Sequence, residues 1–246
     1  MWKSLFIGGL GLATMVTPAT HGAVIQDFES MTSGVTINGQ QTWTATNPSN
    51  AIIVNDNSIA TPPGSQFLQV SAPGNAAPSV SYAQSFTLGA QQNDEVSFDI
   101  RLDNSSVITG GGLNFNLAGN GGGGWVAKSN FQANGDIVPA TGSPKDASSF
   151  TKGEWYSVIY DLDATAKTYR FRMIKKSDSS VLVDTTKAFN QNLNFTNIFY
   201  FQFIMDAAAG ATWQIDNFNV QNTPEPAGMG LILAGSVLAM RRRGRR

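Results

Sequence analysis

The sequence predicts an all-β protein, an antiparallel sandwich, and three observations carry that expectation. Several segments alternate apolar and polar residues with period two. No stretch carries a convincing 3.6-residue period. Gly, Pro and Asn clusters separate the candidate strands at short intervals, as in sandwiches and barrels. The chain has 246 residues, of which only 13 % are charged, and 25 are Gly. That polar but weakly charged composition suits a β-rich exported domain better than a helical cytoplasmic one.

The strand candidates follow in order. Early ones are "VIQDF" (24–28), "AIIV" (51–54), "QFLQV" (66–70) and "SVSYAQSFTL" (79–88). "EVSFDIRL" (95–102) sets Val96, Phe98, Ile100 and Leu102 against polar partners, the mark of a half-buried strand. "WYSVIYDL" (155–162) and "TYRFRMIKK" (168–176) flank "DATAK", which reads as a hairpin turn. "NIFYFQFIMD" (197–206) is a continuous aromatic-rich run suited to a central strand. "ATWQIDNFNV" (211–220) alternates Trp213, Ile215, Phe218 and Val220, with Asp216 and Asn217 breaking the phase as a β-bulge does. Trp155 and Trp213 alternate with apolar neighbours and are expected in the core. No linker divides residues 24–220, so they are expected to form one domain.

Residue types exclude much chemistry. Without Cys there is no disulfide, thiolate nucleophile or zinc thiolate site. The only His is His21, beside the expected cleavage site, so a mature chain would lack imidazole for a catalytic triad or proton shuttling. Residues 24–220 hold ten of the sixteen Lys+Arg and sixteen of the seventeen Asp+Glu, a net charge near −6. A body of that sign is a poor partner for nucleic acid.

The two ends read as targeting segments. Lys3 precedes an apolar run from Leu5 to Val16, and Ala19 and Ala23 offer small residues for cleavage, the layout of a signal peptide over residues 1–23. Gly8, Gly9 and Gly11 make that run a poor soluble helix. At the other end, residues 227–240 carry no charge and as a helix would span ~21 Å. That is short for a bilayer core of about 30 Å, although arginine snorkelling narrows the gap. Arg241, Arg242, Arg243, Arg245 and Arg246 would stay cytoplasmic by the positive-inside rule.

Pro224, Glu225 and Pro226, the apolar segment and the arginine cluster together resemble a PEP-CTERM sorting tail, here residues 221–246 with a short helix over 227–240. Thr223 stands where that family usually has Val. The resemblance implies an exported protein of a Gram-negative bacterium. It also implies processing by an exosortase-type membrane protease, with the inner membrane as an intermediate before the cell surface or matrix. Such proteins typically occur in organisms that make exopolysaccharide.

The body carries a second resemblance. "DFE" (27–29), "GSQFLQV" (64–70), "GEWYSVIYDLDATAKTYRFRM" (153–173) and "QIDNFNV" (214–220) look like the concanavalin A-like, laminin-G-like jelly rolls, and a galactose-binding-like jelly roll shares the opening and closing signatures. In these folds first and last strands are neighbours. That implies Asp27 or Glu29 near Asp216, and the three carboxylates form a candidate structural calcium site of hard oxygen donors. Alternatively Asp216 serves the bulge and Glu29 is solvated.

Glycoside hydrolysis needs two carboxylates flanking the bond, and the body has only three Glu: Glu29, Glu95 and Glu154. No pair shares a strand face at the needed spacing. Sugar binding needs less: an aromatic face plus amides for the hydroxyls. The most promising stretch is "GGGLNFNLAGNGGGGWVAKSN" (110–130), where Asn114 and Asn116 alternate on one face and Trp125 follows. Trp43 is a second platform candidate. Core burial of either tryptophan is the competing reading. The expectation is a non-catalytic surface or matrix protein that binds or organises polysaccharide. A polysaccharide lyase or glycoside hydrolase is the alternative, and a structural matrix protein acting through protein contacts is a third.

Overall fold

The computed structural model describes residues 24–56, 58, 64–72, 78–83, 86–88, 92–106, 112–119, 124–140, 142–190, 195, 197–205 and 210–224. The expected signal segment 1–23 lies outside the described residues, as do Glu225, Pro226, the apolar segment 227–240 and the five terminal arginines.

In chain order the strands are β1 (Val24–Gln26), β2 (Trp43–Thr46), β3 (Ala51–Asn55), β4 (Gln66–Ser71) and β5 (Ser79–Tyr82). Then come β6 (Phe86–Thr87), β7 (Gln92–Leu102), β8 (Gly112–Gly119), β9 (Gly124–Gln132) and β10 (Ile137–Val138). The last five are β11 (Tyr156–Asp163), β12 (Thr168–Lys175), β13 (Val181–Ala188), β14 (Asn197–Met205) and β15 (Thr212–Pro224). Sheet I runs β13-β12-β11-β7-β15-β4-β3, with β1 also on β15; sheet II runs β10-β9-β8-β14-β5-β2, with β6 on β14. All the pairings are antiparallel. Helical content among the described residues is one 3-10 turn, Pro48–Asn50, and none of their helices is long and apolar enough to cross a membrane.

The period-two alternation decides which residues meet between the sheets. Val96, Phe98, Ile100 and Leu102 of β7 are all buried in the core, as are Tyr156, Val158, Tyr160 and Leu162 of β11. Phe98 of sheet I sits 4.4 Å by ring centroid from Phe115 of sheet II and 5.0 Å, edge-on, from Phe203. Edge and tilted aromatic contacts of this kind add ~0.5–1.5 kcal/mol each beyond area burial. Around Phe218 a second aromatic group forms from Trp43, Tyr82 and Phe201.

The expected hairpin is present: residues 164–167 turn between β11 and β12, and Ala166 N–H donates to Asp163 Oδ1 at 2.7 Å. So is the expected bulge, where the β15–β7 register shifts between Asp216 and Asn219 and Asn217 takes φ 47°. First and last strands are neighbours, with Val24 opposite Val220.

Three readings differ from the sequence expectation. The glycine-rich stretch 110–130 contains two long strands, the β8–β9 hairpin. β15 runs past residue 220 to Pro224, pairing Thr223 with Asn93 and Pro224 with Gln92 of β7. Trp155 precedes β11 and is only half-buried, packing edge-on against Phe67 at 6.1 Å. Phe67 alternates with the core residues Leu68 and Val70, so this pair covers the outer face of sheet I. Trp213, by contrast, is fully buried in the core as expected.

Candidate functional site

The two outer faces differ in kind. On sheet I the outward positions form an ionic lattice: Arg172 to Asp161 at 2.9 Å, Arg170 to Asp184 at 2.6 Å, and Lys176 to Asp99. The two arginine pairs lie at the surface, where such pairs are worth ~0–1 kcal/mol each and serve mainly to keep a face wet, whereas Asp99 is buried. The seven strands of sheet II contain no Asp or Glu at all, and Lys128 is their only charged residue. The outer face of sheet II is instead built from amides, hydroxyls and two aromatic rings. Groups of that kind bond neutral hydroxyls without a desolvated ion to compensate.

Register arranges these groups in rows across the strands. One row reads Lys128 on β9, Asn116 on β8, Gln202 on β14, Ser81 on β5 and Thr44 on β2. The next reads Asn130, Asn114, Ile204, Ser79 and Thr46. On the other side of Asn116, Trp125 and Tyr200 flank Ala118 from the two neighbouring strands. Their rings stand edge to face, 6.0 Å apart at 82°, and both are half-buried. Ala118 is what lets them approach, since a larger residue would fill the gap between them.

Within this lattice one side chain stands out. Asn116 is 1 % exposed, and neither its Nδ2 nor its Oδ1 has a hydrogen-bond partner. A buried amide atom left unpaired costs about 1–3 kcal/mol, so the position is held at a cost that folding alone does not explain. Nearby, Asn130 Nδ2 donates to Asn114 Oδ1 at 2.9 Å, while Asn130 Oδ1 is also buried without a partner. The backbone beneath is tightly packed. At Gly112 an added Cβ would run into the Phe131 carbonyl, so glycine there lets β8 and β9 close together.

The structure therefore brings Asn114, Asn116 and Trp125 onto one face, as their alternation predicts. It does not do so for Trp43, which points inward, is 0 % exposed and packs 4.9 Å from Tyr82 and 5.8 Å from Phe28. Trp43 is a core residue, not a platform, because Ala45 and Trp43 share the inward parity of β2 opposite Val80 and Tyr82. The sequence reading missed Tyr200, Gln202, Lys128 and Asn130. Each was visible as the polar member of an alternation, in "YFQFI" and "AKSNF", that the aromatic and glycine content obscured.

The three candidate calcium ligands are placed apart in role. Glu29 uses its carboxylate to clip the segment before β4, accepting from Ser65 and Gln66 backbone N–H at 2.6 Å each and from the Ser65 hydroxyl. Asp27 is exposed and accepts the Glu29 N–H. Asp216 is buried in the bulge, opposite Asp99, and accepts the Asn217 N–H at 2.7 Å. Among the described residues no group of three or more His, Asp or Glu is placed to hold a metal ion.

No family model matches the sequence, and no curated protein matches it. Solved structures do match. Peanut lectin, solved with a 9mer peptide, superposes with a TM-score of 0.55 at 12 % identity, over 82 % of this chain and 98 % of that one. The winged bean acidic lectin, solved with methyl-α-D-galactose, gives 0.55 at 11 % identity over the same shares, 82 % and 98 %. The fold is a lectin-like jelly roll. A carbohydrate esterase from the Shiga toxin-encoding bacteriophage phi24B shares it at 0.52 and 15 % identity, covering 75 % of this chain and 91 % of that one. Identities this low speak for the fold and leave the chemistry to the side chains.

Proposed function

We propose that the protein is a non-catalytic carbohydrate-binding protein and that it takes its ligand on the outer face of sheet II. Asn116 carries the reading: a buried amide with both polar atoms unpartnered, on a sheet face without carboxylates, beside the Trp125 and Tyr200 rings. The rings offer apolar surface to the C–H side of a sugar, and the amides supply donors and acceptors for its hydroxyls. Lys128 and Gln202 flank Asn116 from the two neighbouring strands and add polar groups beside the amide. The strands of sheet II hold no Asp or Glu, so they do not themselves supply the pair of carboxylates that glycoside hydrolysis requires. Carbohydrate-binding lectins and a carbohydrate esterase among the structural neighbours are consistent with the reading.

The targeting segments support an exported life for this domain: signal-directed export, transient residence in the inner membrane, exosortase-type processing, and work on polysaccharide at the cell surface or in the matrix. The test is binding of the purified full-length protein to a polysaccharide panel, first with calcium and then with chelator. Saturable binding with no change in the polymer's length or reducing ends is the expected result, and it should weaken strongly in Asn116→Leu. Binding that is indifferent to Asn116, Trp125 and Tyr200 would overturn the placement. Loss of binding on chelation would show that an ion is required after all.

A further inference from the structure

We propose that the polysaccharide taken by this face is acidic, with a carboxylate of one sugar seated between Lys128 Nζ and Asn116 Nδ2; this rests on the saccharide-binding reading above. Lys128 lies directly opposite Asn116 in the β8–β9 register, and it is the only charged residue in any strand of sheet II. A single lysine among amides and hydroxyls adds little to solubility, but beside an unpartnered amide donor it completes an anion seat. A carboxylate there accepts one hydrogen bond from the ammonium and one from the amide through its two oxygens, the first between two charged groups. Asn116 Oδ1 remains as an acceptor for a neighbouring hydroxyl, so each of the amide's two unpartnered atoms gains a partner.

The body's net negative charge does not oppose this. The acidic residues described lie in the strands of sheet I and in connecting segments. Packed sheets stand about 10 Å apart, and at physiological salt the Debye length is about 8 Å. The strands of sheet II therefore carry one positive charge and no negative one, with the far face largely screened. The row through Lys128 and Asn116 continues to Gln202, Ser81 and Thr44, across five strands. At the usual strand spacing that is about 19 Å, a length for a chain of sugars and not for one ring.

The experiment compares two probes on the full-length protein by calorimetry: polygalacturonate, and the same polymer with its carboxylates reduced to hydroxymethyl groups. Wild type is expected to bind the acidic polymer more tightly by on the order of tenfold, the scale of one charge-assisted hydrogen bond. Raising the salt should erode that margin. Lys128→Gln should bring the affinity for the acidic polymer down to that for the reduced polymer, and an unshifted melting temperature would show that the variant is folded. Equal affinity for both polymers, or a margin that survives in Lys128→Gln, would overturn the acidic assignment and leave saccharide binding intact. Binding of neither polymer by a folded protein overturns the assignment too. If the wider panel is then also negative, saccharide binding falls with it.

Discussion

Replacing Asn116 by leucine separates what the residue does for folding from what it does for a ligand. Leucine keeps a similar branched shape on β8 and removes the two buried atoms, Nδ2 and Oδ1, that have no partner. An unpaired buried polar atom costs ~1–3 kcal/mol, and the lower end applies on a sheet face whose flanking side chains can move. The variant should therefore be more stable by about 1–2 kcal/mol. For a domain of this size that corresponds to a rise in melting temperature of about 2–8 °C. The assay is urea unfolding followed by tryptophan fluorescence, reading the midpoint at constant slope, alongside saccharide binding. Stability gained and binding lost is the expected pair, the trade-off typical of residues kept for function. A loss of more than ~1 kcal/mol on substitution would refute the reasoning, because it would mean that the amide is satisfied in the folded protein.

Other perturbations have outcomes fixed by position. Trp43→Ala should cost ~3–5 kcal/mol through the cavity it opens among Phe28, Tyr82 and Phe218; unchanged stability in a denaturant melt would contradict its core placement. Asp99→Ala should cost about 2–4 kcal/mol, since Lys176, the Ser157 hydroxyl and the Asn217 amide all lose their shared acceptor. Burial pushes the phenols of Tyr160 and Tyr169 above the ordinary tyrosine range. Because the unfolded phenols ionise first, the stability they confer is complete below about pH 10 and is lost as pH rises beyond it. Alkaline unfolding should thus be delayed in a Tyr160→Phe, Tyr169→Phe double variant, and identical pH profiles would count against this account.

Alternation made the sandwich legible. β7, β11, β12 and β15 announce themselves because each sets apolar residues of one parity against polar residues of the other, and the broken phase at Asp216 and Asn217 announces the bulge. β8 and β9 were obscured by glycine, whose local signal is the turn; only the register shows that Gly112 serves a close strand approach. β13 carries just one fully buried apolar side chain, Val183, and so lacks a pattern. Asn114, Asn116 and Trp125 could be found because they lie close together in sequence. Tyr200 and Gln202 could not be joined to them, since that neighbourhood depends on which strand lies beside β8. For Trp43, set among Thr and Gln, both a platform and core burial stayed open in the sequence, and strand parity decides for the core.

β15 has a mechanical consequence. It is bonded along one edge to β7 from Trp213 to Pro224, and along the other to β4 at Thr212–Ile215 and to β1 at Phe218–Val220. The chain continues from Pro224 into the last 22 residues. Antiparallel hydrogen bonds lie perpendicular to the strand, so a pull on that segment, directed along β15, would load both of its edges in shear. Shear engages many bonds at once, whereas peeling an edge strand breaks them one at a time. With Val24 seated opposite Val220, the amino end leaves from the same pole of the sandwich. A load entering the domain through either end would therefore meet the same pole first, at a strand bonded along both edges.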